Sequence, residues 1–170
     1  MDAVGRPRDV ELVAPVRFEA PLAPAVAAEL VGEAIDWSAV GAALARLDGD
    51  ADYLVVEGVG GVMVPLDPAQ PGLTVRDFAA ALGLPAVVVA RAGLGTLNHT
   101  VMTVDALRRV GCTVAGVVMN EHGCDVADAS LGHNRRWIER MTGVGVLASV
   151  PTCGDARNHL EEVDWYGVAG

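Results

Sequence analysis

Two stretches carry residue types that could do chemistry. The first is Tyr53–Val56, then Glu57, then Gly58, Gly60 and Gly61. Tyr53 to Val56 is a short apolar run ending in two valines, the pattern of a strand buried on both faces. It breaks off at a carboxylate. An acidic residue at the carboxyl end of a buried parallel strand stands where α/β folds bind ligands. Glycines let the backbone approach a ligand closely and offer bare N–H groups to an anion. A carboxylate beside such amides suits Mg²⁺ with a phosphate, which makes Glu57 a candidate metal ligand. A strand running into a flexible hairpin, or a solvated strand-end carboxylate, would leave the same residues in the sequence.

The second stretch runs from Ala86 to Thr100. An apolar strand, Ala86–Ala90, ends at Arg91. Gly93, Leu94 and Gly95 then lead to Thr96 or Asn98 as the cap of a long helix. Free N–H groups and the helix dipole make such a loop a carboxylate site. A plain N-capped loop fits the residues equally. Arg91 could serve the same anion or be a structural partner. His99, at a helix terminus beside a cap, is given no catalytic role. A third point is Asn120, after the apolar run Thr113–Met119. Its amide has an acceptor and a donor in one plane, which suits the edge of adenine. An Asx-turn closing the strand fits as well.

The elements that must position these groups follow from periodicity. Val16–Phe18 reads as a short strand and Pro21–Gly32 as a helix, with Pro24 in its first turn. Ser38 is the expected cap of a helix to about Leu47, with Val40, Leu44 and Leu47 on one face. Pro65–Gly72 reads as a loop. Thr74 and Asp77 have capping-box spacing before a helix that turns Phe78 and Leu82 inward and ends at Gly83 and Pro85. Val101, Val104, Leu107 and Val110 share a face of the next helix, which Gly111 stops. Exposure of that face would favour self-association. Trp137, Ile138 and Met141 mark a helix closing near Gly143. Gly145–Val150 is the last strand and ends at Pro151. A short helix is expected around Asn158–Val163. Strand and helix alternate with short turns, which predicts an α/β fold with a doubly wound, mostly parallel sheet and helices on both faces. Four strand ends, Glu57, Arg91, Asn120 and Pro151, then fall on one edge.

Composition narrows the function. The 170 residues are 52% hydrophobic and carry a net charge of −10, which argues against nucleic acid or an anionic membrane as partner. The expectation is one domain, residues 1–170 with a tail over 154–170, in the cytoplasm. The three cysteines, Cys112, Cys124 and Cys153, show neither a disulfide framework nor metal spacing. His122, His133 and His159 show no metal spacing either. All twelve basic residues are arginine. A Walker A loop needs its lysine, so these residues contain none.

The strings "VEGVGGVMVPL" and "VVVARAGLGTLNHT", at this separation, resemble dethiobiotin synthetase, an ATP-dependent enzyme of biotin synthesis. The resemblance runs from about Phe18 to about Pro151. It implies a P-loop NTPase-like fold and a Mg²⁺-bound ATP site at Glu57, Gly58, Val59, Gly60, Asn120, Pro151, Thr152 and Cys153. Glu57 would be the metal ligand and Asn120 the reader of adenine. It implies that Gly61, Gly93, Leu94, Gly95, Thr96 and Asn98 bind 7,8-diaminopelargonate, in part across a homodimer interface. CO₂ or bicarbonate is the third reactant. The family's opening strand, P-loop, first helix and second strand have no counterpart here. The chain alone is therefore expected to be incomplete and poorly stable. The alternatives are a non-catalytic binding or regulatory remnant and a cobyrinate-type synthetase relative.

Overall fold

A computed structural model describes residues 9–49, 52–124, 128–152 and 155–169. The chain forms two compact units, divided between Val75 and Arg76.

The first unit opens with a single turn, α1 (Val10–Val13), capped by the Asp9 carboxylate, which accepts the Glu11 N–H at 3.1 Å. Val16–Phe18 is irregular and forms no strand. Helix α2 (Pro24–Val31) starts at a proline, whose fixed φ suits a helix start and whose missing N–H costs nothing there. Gly32 ends it in the left-handed conformation. Its small buried face, Ala25, Ala27 and Ala28, lets strand β1 (Pro65–Asp67) pack close. Helix α3 (Trp37–Gly49) is capped by Asp36 rather than Ser38. Asp36 Oδ1 accepts the Ala39 N–H at 2.9 Å and the Ser38 hydroxyl at 2.6 Å, so a carboxylate two residues earlier takes the capping role that Ser38 was expected to fill.

Residues read as a loop form an antiparallel hairpin, β1 with β2 (Gln70–Thr74). The prolines at 65, 68 and 71 mask it in the sequence, and a single side chain organises it. Asp67 Oδ1 accepts the Ala69 N–H across the turn, and Oδ2 accepts the Trp37 indole N–H, both at 2.8 Å. These bonds favour the ionised form, the Trp37 bond most, and hold the Asp67 pKa below the ordinary carboxylate value. A lowered folded pKa means stability that is complete above the unfolded value and lost as pH falls through the folded one. Below about pH 4, the unfolding midpoint of Asp67→Asn should therefore fall less steeply with acid than that of the native chain, as denaturation at a series of pH values would show.

Tyr53–Val56 is irregular in the structure and not a strand, and Val55 is 89% exposed. A strand exists only within a ladder supplied by a neighbour. An apolar run specifies its own side chains but not that neighbour.

Helix α4 (Val75–Leu82) follows β2 directly in the chain and, apart from its first residue, belongs to the second unit, with Asp77 in its first turn. Phe78 and Leu82 are half-buried, and Gly83 ends the helix at φ 68°. Strands β3 (Ala86–Arg91), β4 (Val114–Asn120) and β5 (Val146–Val150) form a parallel sheet in that order. The crossovers are α5 (Thr96–Arg109) and α6 (Leu131–Thr142), which pack on each other and on the sheet. The result is an α/β fold, as the alternation predicts. The core is formed by Val88, Ala90, Val104, Leu107, Val117, Met119, Ile138 and Val146. Val104 and Leu107 are thus consumed within the unit. The apolar face of α5, expected to be open for association, is largely closed, leaving Met102 exposed on that helix. Helices α7 (Arg157–Leu160) and α8 (Trp165–Ala169) complete the tail.

Between β4 and β5 the register shifts, with Val117 opposite Val146 but Val118 opposite Ala148. The extra residue, Leu147, lays its side chain over Gly116, where a Cβ would come within 2.4 Å of it. A branched side chain at 116 must displace Leu147. Gly116→Val should cost about 1–3 kcal/mol, read as a lower denaturation midpoint at constant m-value.

Candidate functional site

The sheet of the second unit lines up three of the candidate strand ends. Arg91 lies opposite Asn120, and Asn120 opposite Val150, so the three strand ends stand in one row. Beyond the row the chains stay joined. The Ala92 N–H bonds the Asn120 carbonyl at 2.9 Å, and the Glu121 N–H bonds the Val150 carbonyl at 2.9 Å. The Thr152 hydroxyl then donates to the Glu121 carbonyl at 2.7 Å. Pro151 and Thr152 are thereby held beside Asn120, the segment expected to border a base. Asn120 Oδ1 accepts the His122 N–H at 3.0 Å, which is the Asx-turn reading of that residue. Cys153 lies outside the described residues.

The loop from β3 into α5 is built from Gly93, Leu94 and Gly95. Gly95 is the N-cap at φ 94°, and no side chain caps the helix. Neither Thr96 nor Asn98 serves as that cap. The Thr96 hydroxyl, buried, bonds the Thr100 hydroxyl at 3.1 Å, and Asn98 is exposed. The loop before the helix is held from elsewhere: Asp128 Oδ2 takes the Leu94 N–H at 2.7 Å. The Ser130 hydroxyl, the Ser130 N–H and the Leu94 N–H together hold the Asp128 carboxyl below its ordinary pKa. From α6, Asn134 Nδ2 donates to the Ala92 carbonyl at 2.7 Å and the Ser130 hydroxyl at 3.0 Å. Asp128 and Asn134 were not singled out from the sequence. The available signals were weak: Asp128-Ala-Ser130 has Asx-turn chemistry, and Asn134 is a poor helix former set inside a helix.

In the first unit, Glu57, Gly58, Val59, Gly60 and Gly61 form an exposed bend. Gly60 adopts φ 73°, which a side chain would resist. The bend is closed by the Val64 N–H on the Gly61 carbonyl at 2.9 Å, and the Val75 N–H, at the end of the same unit, bonds the Val64 carbonyl at 3.1 Å. Gly58 packs close to Val75, whose Cγ1 lies 3.0 Å from where a Cβ would stand. Among the described residues no group of three or more His, Cys, Asp or Glu is placed to hold a metal. A single carboxylate nevertheless fits Mg²⁺, which commonly takes one or two protein carboxylates and completes its shell with phosphate oxygens and water. No helix of the described residues is long and apolar enough to cross a membrane.

Residues 2–159 match the family described as AAA domain. The chain belongs to this family. Proteins similar to it include several named ATP-dependent dethiobiotin synthetase. That of Anaeromyxobacter dehalogenans (strain 2CP-1) is 46% identical over 88% of this chain and 66% of its own length. That of Haloferax mediterranei is 42% identical over 79% and 56%, and that of Bacillus subtilis 37% identical over 83% and 59%. The chain thus spans 56–66% of the length of these relatives. The resemblance drawn from the two glycine-rich strings holds across this AAA-domain chain.

Proposed function

We propose that this chain carries the adenine-side and substrate-side parts of a dethiobiotin synthetase. The observation that supports this most is the identity of 37–46% with proteins of that name, spanning both glycine-rich stretches. In this reading Asn120, Pro151, Thr152 and Cys153 border the base of ATP. Glu57 would hold Mg²⁺, and Gly58, Val59 and Gly60 would lie along the phosphates. When bound, the ion would neutralise charge on the transferring phosphoryl group. Gly61, Gly93, Leu94, Gly95, Thr96 and Asn98 would orient 7,8-diaminopelargonate, with α5 amides facing its carboxylate. One amine adds to CO₂ to give a carbamate, ATP phosphorylates it, and the second amine closes the ureido ring with loss of phosphate. The setting is cytoplasmic and the functional unit a homodimer. Asn120 already spends its Oδ1 on His122, so an adenine contact would come from its amide nitrogen or after a side-chain turn.

A second reading rests on one fact: none of the 170 residues is lysine. A chain with no phosphate-clamping lysine suits a binding or regulatory subunit that keeps the substrate surfaces. One experiment separates the two. The protein is incubated with Mg²⁺, ATP, ¹³C-bicarbonate and 7,8-diaminopelargonate, and dethiobiotin is sought by mass spectrometry. Labelled product supports the enzyme. Binding of the diamino acid by calorimetry without product supports the subunit, and absence of binding overturns the proposal that these residues carry the substrate-side part.

A further inference from the structure

The β3–α5 loop is shaped by residues far from it in sequence. Its tip, Leu94, is 84% exposed, so packing does not hold it. Helix α5 has no side-chain cap of its own. What fixes the loop is the end of the β4–α6 connection on one side and the first turn of α6 on the other. Asp128 grips the Leu94 N–H at 2.7 Å, and Asn134, 3% exposed, grips the Ala92 carbonyl at 2.7 Å. A Cβ on Gly93 would stand 2.9 Å from Asp128 Oδ2 and 3.3 Å from Cys124 Sγ, so the two connections meet with no spare room. The Asp128 contact is charge-assisted, because its carboxylate also accepts the Ser130 N–H at 2.8 Å and stays ionised.

We infer that Asp128 and Asn134 are positioning residues that hold the Gly93–Asn98 loop so that the first-turn amides of α5 face a ligand carboxylate. The inference rests on the carboxylate reading of that loop. Asp128 consumes the Leu94 amide. The amides of Leu97 and Asn98, which have no intrahelical acceptor by their place in the first turn, are left for the ligand. An ionised Asp128 also sets a limit: a ligand carboxylate must sit along the helix start and not at Leu94, where like charges would meet.

The test uses the full chain with Asp128→Ala, Asn134→Ala and the conservative Asp128→Asn, which keeps an oxygen for the Leu94 N–H. Two quantities are read: amide hydrogen exchange from Leu94 to Asn98, and affinity for 7,8-diaminopelargonate against its methyl ester. The native chain should prefer the acid by about tenfold, the scale of one charge-assisted contact. In the alanine variants, exchange at Leu94 and Thr96, whose N–H groups are bonded within the loop, should rise by about tenfold while β4 amides are unchanged, and the acid preference should collapse. Asp128→Asn should retain most of both. Unchanged loop exchange overturns the inference whatever ligand binds. So does faster exchange with the acid preference intact. A native chain that binds acid and ester alike refutes the carboxylate reading itself, and the inference with it.

Discussion

Glu57→Gln is expected to weaken Mg²⁺-dependent ATP binding by about 100-fold, or about 2.7 kcal/mol. The substitution removes a charge and keeps the shape. Glu57 sits in an exposed bend, so the fold should not notice the change. The hard, compact Mg²⁺ ion should, because a carboxamide is a much poorer ligand than a carboxylate. Calorimetry with ATP, in Mg²⁺ and in chelator, provides the check. With chelator the two proteins should bind ATP alike. An equal loss in both conditions would mean that Glu57 supports the loop and holds no metal.

Ile138→Ala should destabilise the second unit by about 3–4 kcal/mol. Ile138 is 0% exposed, in a helix that packs on α5 and β5. Truncation removes three carbon atoms from a closed core, and the surroundings can collapse only in part. Two features limit that collapse. The Thr142 hydroxyl bonds the Ile138 carbonyl at 2.7 Å and takes the Val144 N–H at 3.0 Å, which fixes the end of α6. Arg108 from α5 donates to the Thr142 carbonyl at 2.6 Å, which fixes α5 against it. Ile138→Val, which deletes one methylene, should cost about 1 kcal/mol. Urea unfolding of both variants measures the pair. A loss below about 1 kcal/mol for the alanine variant would show that α6 shifts to fill the space.

Much of the second unit was legible beforehand. Each of its strands is a short, valine-containing and mostly apolar run with a turn former close behind it, and each crossover helix carries apolar residues at helical spacing. The row Arg91–Asn120–Val150 follows once three such strands are parallel. The first unit was less legible. Its hairpin is rich in proline, which ordinarily argues against a strand. It exists because one carboxylate, Asp67, joins a turn amide to an indole thirty positions earlier in the chain. The cap of α3 was misplaced by two residues for a local reason, since Asp36 and Ser38 are both good caps and only geometry chooses between them.

The sequence by itself determined the α/β succession, the glycine-rich turns, the absence of lysine and the family. These depend on residue types, on short-range spacings and, for the family, on the interval between two strings of sequence. Tertiary structure alone decided three other matters: that Tyr53–Val56 is not a strand, that α5 spends Val104 and Leu107 inside the fold, and that Asp128 and Asn134 hold the loop after β3. Each turns on a partner more than thirty residues away or on the presence of a neighbouring strand. Periodicity records which face of an element is apolar. It does not record what that face meets, because the meeting is set by how strands stack and connections cross.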